Sequence, residues 1–133
     1  MTQYLVTLDA FLQWFGLSIG LLATFSVIYL WATPQHELQL IKEGNISAAI
    51  CLSGTVLGYV LPLASVMIHG VNIVDFAIWG VIAMLVQLAV YFVMRLAFRD
   101  LTRHIIEDRI SVSILVASVS LAVGILNAAA QSS

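Results

Sequence analysis

The sequence predicts an all-α integral membrane protein with four transmembrane helices. Hydrophobic residues make up 62% of the 133 positions, whereas charged residues make up only 9%. An average soluble domain has about 45–50% apolar and about 25% charged residues, and a soluble fold of this length has too little interior to bury so much apolar surface. The apolar residues also fall into four long runs, which indicates four membrane crossings.

Each run is long enough to cross a bilayer, because about 20 residues of helix span the hydrocarbon core. Backbone polar groups in lipid must be satisfied within the segment, so each run is predicted to be a helix. The predicted spans are Ala10 to Ala32, Ile46 to Ile68, Phe76 to Met94 and Ile110 to Ala130. Together they predict one membrane domain over residues 1–133.

The basic residues predict the orientation of these helices. All five lie in or beside the first and third connections: Lys42, Arg95, Arg99, Arg103 and Arg109. The positive-inside rule places these connections in the cytoplasm, so both termini are expected outside. Both connections also carry apolar residues between polar ones, which predicts short interfacial helices on the cytoplasmic side.

Arg95, Arg99 and Arg103 are four residues apart and share one helical stripe. Two interpretations stay open for this stripe. Its members anchor the helix end beside anionic lipid, or they form a docking surface for a cytoplasmic partner.

A weak internal repeat divides the chain into two hairpins. A shift of 64 residues places Ile46, Ser47 and Ile50 on Ile110, Ser111 and Ile114. The first hairpin covers about residues 8–68 and the second about 74–130. Two hairpins of the same orientation predict a pseudo-two-fold axis along the membrane normal, which is the parallel-repeat arrangement.

Small residues recur at helical spacing in every span and predict where the helices pack. Helices in lipid associate through close approach at small residues and through interhelical hydrogen bonds. The glycines expected at these contacts are Gly16, Gly20, Gly54, Gly58, Gly80 and Gly124.

The second span contains a proline near its outer half. Pro62 lacks an N–H group and crowds the carbonyl of Gly58 four residues earlier, so we expect an irregular element at Gly58, Tyr59 and Pro62, with a nearby polar side chain bonded to the freed carbonyl. Gln87 is a polar residue expected at similar depth, and Asn127 is expected further outward, nearer the level of Pro62. Whether this element is a simple kink or a binding or gating element stays open.

The sequence contains no group of residues typical of a catalytic, metal-binding or proton-transporting site. The central third of every span lacks Asp, Glu, Lys, Arg and His, which argues against proton-coupled transport. No hydrolase, zinc-protease or phosphate-loop motif is present, and the three histidines lack metal-ligand spacing. Asp9 and Asp75 are expected to cap the outer ends of helices. We therefore predict no catalytic residue, cofactor or metal, and a net charge of −2 excludes a basic nucleic-acid surface.

Three stretches carry a family resemblance: "ELQLIKEGNISAAICLSGTVLGYVLPLAS", "WGVIAMLVQLAVYFVMRL" and "GILNAA". The chain resembles the YjfL-like family of small bacterial inner-membrane proteins, a domain-of-unknown-function family of the 350 type. The resemblance implies paired hairpin repeats in the inner membrane and no established activity. It also implies genes near those of membrane-remodelling proteins and ATP-grasp ligases, which favours a role in envelope stress or maintenance.

These observations favour a membrane-embedded subunit or scaffold rather than an enzyme. Its expected partners are the lipid bilayer and either further copies of the chain or a cytoplasmic membrane-associated protein. The alternative function is a small channel or transporter formed by an oligomer, with Gln87 on its polar face. An intramembrane enzyme is the third possibility, and the missing ionisable groups argue against it.

Overall fold

A computed structural model describes residues 2–33, 36–98 and 100–132, and within these ranges every regular element is a helix. The helices are α1 (Thr2–Ala32), α2 (Glu37–Lys42), α3 (Ile46–His69), α4 (Ile73–Ala97), α5 (Leu101–Ile106) and α6 (Ile110–Ser132). The four long helices are apolar and long enough to cross a membrane, which confirms the four predicted spans. The short helices α2 and α5 occupy the first and third connections.

Two of the spans start earlier than the apolar runs predict. Helix α1 extends upstream to Thr2 because the preceding residues contain no helix breaker. Asp9 consequently lies inside α1, where it accepts a hydrogen bond from the Gln13 side chain, and the expectation that it caps the helix is wrong. At α4 the capping residue is Asn72, whose Oδ1 accepts from the Asp75 N–H at 2.8 Å, and Asp75 lies in the first turn.

Helix α3 lies at the centre of the bundle and packs against α1, α4 and α6, most extensively against α6. Aromatic residues dominate the core. One buried cluster contains Phe25, Tyr59 and Phe76. A second cluster, nearer the short helices, contains Tyr29 and Tyr91 and is closed by the apolar side chains of α5.

The contact between α3 and α6 brings the two backbones together. A Cβ atom added to Gly54 would lie 2.6 Å from the Cα of Ala117, and one added to Gly58 would lie 2.6 Å from the carbonyl oxygen of Ser120. Further along, the Ser65 hydroxyl donates to the carbonyl of Ala128 at 3.0 Å. Small residues thus allow the close helix approach that stabilises bundles in lipid.

The two short helices meet at one end of the bundle, which we call the α2/α5 end. The Asn45 side chain donates to the carbonyl of Ile105 at 2.9 Å. In the other direction, the Ser47 N–H donates to Asp108 Oδ1 at 2.8 Å, so a residue beyond α5 caps α3. Asp108 has a left-handed φ of 58°, a conformation that Asp adopts more readily than most residues.

Helix α1 lies at the edge of the bundle and turns Leu21, Phe25 and Tyr29 inward. A Cβ atom added to Gly16 or Gly20 would meet nothing within 4 Å. This corrects the expectation that these two glycines pack inside the bundle. The physical reason is helical phase, because they lie on a different face of α1 from the inward stripe.

Candidate functional site

The polar centre of the bundle is the place where α4 reaches the α3–α6 contact. Gln87 of α4 is fully buried, and its Nε2 donates to the carbonyl of Ser120 at 3.1 Å. A Cβ atom added to Gly58 would lie 2.9 Å from this Nε2. The Oε1 atom of Gln87 is buried without a hydrogen-bond partner. Gly58 and Gln87 therefore lie together, with one buried amide oxygen unsatisfied.

Pro62 does not interrupt α3, which runs as one helix from Ile46 to His69. The irregular element expected at Gly58, Tyr59 and Pro62 therefore does not divide α3 into two helices. A Cβ atom added to Gly124 would collide with the carbonyl oxygen of Gly58. The backbone of α6 at Gly124 therefore lies against this carbonyl, with no side chain of residue 124 between them.

Tyr59 links three helices from a fully buried position. Its hydroxyl donates to the carbonyl of Gly80 in α4 at 2.9 Å. Its ring stacks on Phe25 of α1, with centroids 4.5 Å apart. Gly80 also packs closely, since an added Cβ would lie 2.7 Å from Leu21 Cδ1. Tyr59 thus holds α1, α3 and α4 in register.

Asn127 lies apart from this centre, near the end of the bundle opposite α2 and α5. Its Oδ1 accepts from Gln131 Nε2 at 2.8 Å. The Nδ2 atom of Asn127 and the Oε1 atom of Gln131 are buried without partners. Both residues line a cavity of about 360 Å³, which we call the outer cavity, together with His69, Asp75 and Trp79.

The carboxyl of Glu37 is a second buried polar group, which the sequence did not lead us to expect. The Glu37 side chain is fully buried although α2 is a connecting helix, and the Tyr29 hydroxyl donates to its Oε1 at 2.7 Å. The edge of the Tyr91 ring meets the Tyr29 ring at a centroid distance of 5.3 Å. Hydropathy could not reveal this pair, because the burial of Glu37 depends on α2 folding back onto α1 and α3.

The predicted arginine stripe is only partly described. Arg95 and Arg103 are exposed, and Arg99 lies outside the described residues. Arg103 Nε donates to Glu107 at 3.0 Å, and Arg109 Nε lies 3.3 Å from the same carboxylate. The hydrogen bond from Arg103 lowers the pKa of Glu107 below its usual value. Arg103 is thus already paired with an acid on its own helix end.

Within residues 2–33, 36–98 and 100–132, no group of three or more His, Cys, Asp or Glu side chains is placed to hold a metal ion. The buried polar side chains between the helices are instead tyrosines, amides, hydroxyls and one carboxyl. Two of them, Tyr59 and Gln87, donate hydrogen bonds to backbone carbonyls of a neighbouring helix, and these bonds fix the relative positions of the helices.

Four apolar helices with these groups buried between them define a small multi-pass membrane protein. The chain belongs to the DUF350 family (Domain of Unknown Function), whose model matches residues 2–131. It is 40% identical over 123 residues to "UPF0719 inner membrane protein YjfL" of Escherichia coli K12, covering 92% of this chain and 93% of the relative. The same figures hold for the protein of that name in Escherichia coli O157:H7.

These relatives confirm the family resemblance and the assignment to the inner membrane. The printed names of the family and of the relatives state no activity. No solved structure matches the chain.

Proposed function

We propose that the protein is a membrane-embedded scaffold subunit, not an enzyme, that self-associates through α1 and serves envelope maintenance. The observation that carries this proposal is the open face of α1 at Gly16 and Gly20, where added Cβ atoms would contact nothing in the protomer. A long apolar helix that uses only one stripe for its own bundle has a second face left for another helix.

The composition of this face suits a second copy of α1. Gly16, Gly20 and Thr24 are spaced four residues apart, and such small residues allow two helices to approach closely in lipid. The Thr24 hydroxyl donates to the carbonyl of Gly20 at 2.8 Å, so its hydrogen is already bonded when the face is covered by another helix. Two identical faces pair about a two-fold axis, which is the commonest symmetry of homo-oligomers.

The scaffold proposal includes the two-hairpin repeat. Helices α2 and α5 begin 64 residues apart and end 64 residues apart, and α3 and α6 also begin 64 residues apart. This spacing equals the offset of the sequence repeat and supports it. Because the basic residues lie at or near the α2/α5 end, we place this end in the cytoplasm, with α2 and α5 in the interface and both termini outside.

The packing of the core argues for a scaffold over a channel. Aromatic rings are buried between the helices, at Phe25, Tyr59, Phe76 and Tyr91. These side chains fill the part of the protomer interior through which a solute would have to pass. A channel would need polar faces between protomers. The exposed side of α4 instead bears apolar residues such as Val81, Leu85 and Val93.

Cysteine cross-linking in native membranes tests self-association. In a Cys51→Ser background, Ala23→Cys places a thiol beside the open face of α1, and Val93→Cys places one on the exposed face of α4 as a matched control. We expect an oxidised dimer from Ala23→Cys that Gly20→Leu removes. Equal yields from the two positions, or no effect of Gly20→Leu, would refute pairing through α1.

The partner is tested separately by co-purification in mild detergent. The scaffold proposal expects a cytoplasmic protein in a fixed ratio to this chain. Solute or ion flux from purified protein in liposomes, without such a partner, would favour the oligomeric channel instead.

A further inference from the structure

The outer cavity has a lining that bundle packing does not explain. It lies where the end of α3, the start of α4 and the last turns of α6 meet. Its volume of about 360 Å³ falls in the range of small-molecule sites, which hold a few polar groups among apolar walls. Val66, Ile82 and Ala130 form the apolar part of the lining.

Two buried polar atoms beside this cavity have no partner among the residues that the structure describes. Asn127 Nδ2 is a donor and Gln131 Oε1 is an acceptor, and each remains unpaired although the two side chains bond each other through their other atoms. A buried polar atom without a hydrogen bond costs free energy. A ligand that supplies one donor and one acceptor would satisfy both atoms.

The remaining polar lining is rich in acceptors. Asp75 is an acid that uses one oxygen to accept from the Val71 N–H at 3.2 Å. His69 Nδ1 lies 2.9 Å from the carbonyl of Ser65 and can donate only if it carries a proton. With one proton on the ring at that position, Nε2 is an acceptor. Within the described part of the chain, no Lys or Arg lines the cavity. Trp79 adds an aromatic ring, whose face attracts cations.

We propose that the outer cavity binds a primary alkylammonium group whose neighbouring oxygen accepts from Asn127 Nδ2. The ammonium has three N–H donors, which match Asp75, Gln131 Oε1 and His69 Nε2. Ethanolamine and its phosphate esters have both features. Because the cavity lies at the ends of spanning helices, this group can come from a lipid headgroup or from a free amine in solution.

Two parallel measurements on the full chain separate these sources. Protein extracted from bilayers with equal parts of phosphatidylethanolamine, phosphatidylcholine and phosphatidylglycerol is examined by native mass spectrometry for retained lipid. In nanodiscs of phosphatidylglycerol alone, ethanolamine and phosphoethanolamine are titrated while ¹⁹F NMR follows 5-fluorotryptophan at Trp79, assigned with Trp79→Phe. Selective retention of phosphatidylethanolamine indicates the lipid source, whereas a saturable Trp79 shift without that selectivity indicates the free amine.

Substitutions locate the binding. Asp75→Asn and Gln131→Leu should each weaken binding or retention about tenfold. The first removes the acid that pairs with the ammonium, and the second removes an acceptor. Gln13→Leu is the matched control. It also removes an amide, one that bonds Asp9, but Gln13 lies on α1 outside the cavity. The proposal is overturned if phosphatidylethanolamine is not retained over phosphatidylcholine, which lacks N–H donors, and neither amine shifts the Trp79 signal. It is also overturned if both variants bind as the unchanged protein does.

Discussion

Gly124 of α6 lies against the carbonyl oxygen of Gly58 in α3, on the side where any other residue would carry its Cβ. This carbonyl is the one that Pro62 leaves without its usual N–H partner. One glycine pair therefore both sets the separation of α3 and α6 and covers a polar atom exposed by the proline. We therefore expect one methyl group added at this contact to lower the stability of the bundle strongly.

Gly124→Ala should destabilise the bundle by about 2–3 kcal/mol, because the new methyl group meets backbone rather than a movable side chain. The measurement is the free energy of unfolding in a detergent that keeps the protein monomeric. Gly20→Ala is the control, since the added Cβ meets nothing within 4 Å, and it should change this free energy by less than about 1 kcal/mol. Equal effects of the two substitutions would show that the α3–α6 contact does not limit stability.

Tyr59→Phe should lower stability by only about 0.6 kcal/mol, the average for an interhelical hydrogen bond in a membrane protein. The variant loses the bond to the Gly80 carbonyl but keeps the ring stacked on Phe25. Tyr59→Ala loses both contacts and should cost about 3–5 kcal/mol. Thermal unfolding of the two variants checks the order. A loss for Tyr59→Phe as large as that for Tyr59→Ala would assign the stabilisation to the hydroxyl.

The sequence predicted the spans well because hydropathy and length are local properties. The second span was expected from Ile46 to Ile68 and the helix ends at His69. Contacts between helices were harder to predict, because they depend on which face of each helix turns inward. Gly16 and Gly58 have the same local glycine spacing, yet one faces outward and the other touches α6. The burial of Glu37 was not predictable for the same reason.

The orientation of the chain is testable with a terminal reporter. We expect both termini outside, since the basic residues lie in or beside the first and third connections. A reporter active only in the cytoplasm, fused after Ser133, should therefore be silent, and the same reporter inserted after Lys42 should be active. The reverse pattern would invert the topology and place the arginines on the outer side.

The charges near α5 should control attraction to anionic surfaces. Arg103→Gln should weaken binding to vesicles containing phosphatidylglycerol about fivefold, because one basic residue near such a surface contributes about 1 kcal/mol. Glu107→Gln should strengthen it, because it releases Arg103 and Arg109 from their shared acid.

Acid should act on this surface as Glu107→Gln does. The lowered pKa of Glu107 means that the pair with Arg103 holds at neutral pH and is lost only as pH falls through that pKa. Vesicle flotation at neutral pH and at a pH below this pKa measures binding, and membrane levels of each variant serve as the control. If Arg103→Gln instead prevents insertion, the arginine determines topology rather than surface binding.

The Tyr29–Glu37 pair should behave as a coupled unit in a double-mutant cycle. The 2.7 Å bond lies between fully buried groups, and a buried polar atom that loses its partner cannot bond to water instead. Tyr29→Phe and Glu37→Met should therefore each destabilise the protein, with a coupling energy of about 1.5 kcal/mol between them. Glu37→Gln keeps an acceptor for Tyr29 and should lose less than Glu37→Met. Tyr59→Phe combined with Glu37→Met supplies the matched control, since Tyr59 bonds Gly80 and not Glu37, and these two effects should add. Additive effects of Tyr29→Phe and Glu37→Met would mean that the bond contributes nothing beyond packing, and the burial of Glu37 would then depend on its contacts with α3 alone.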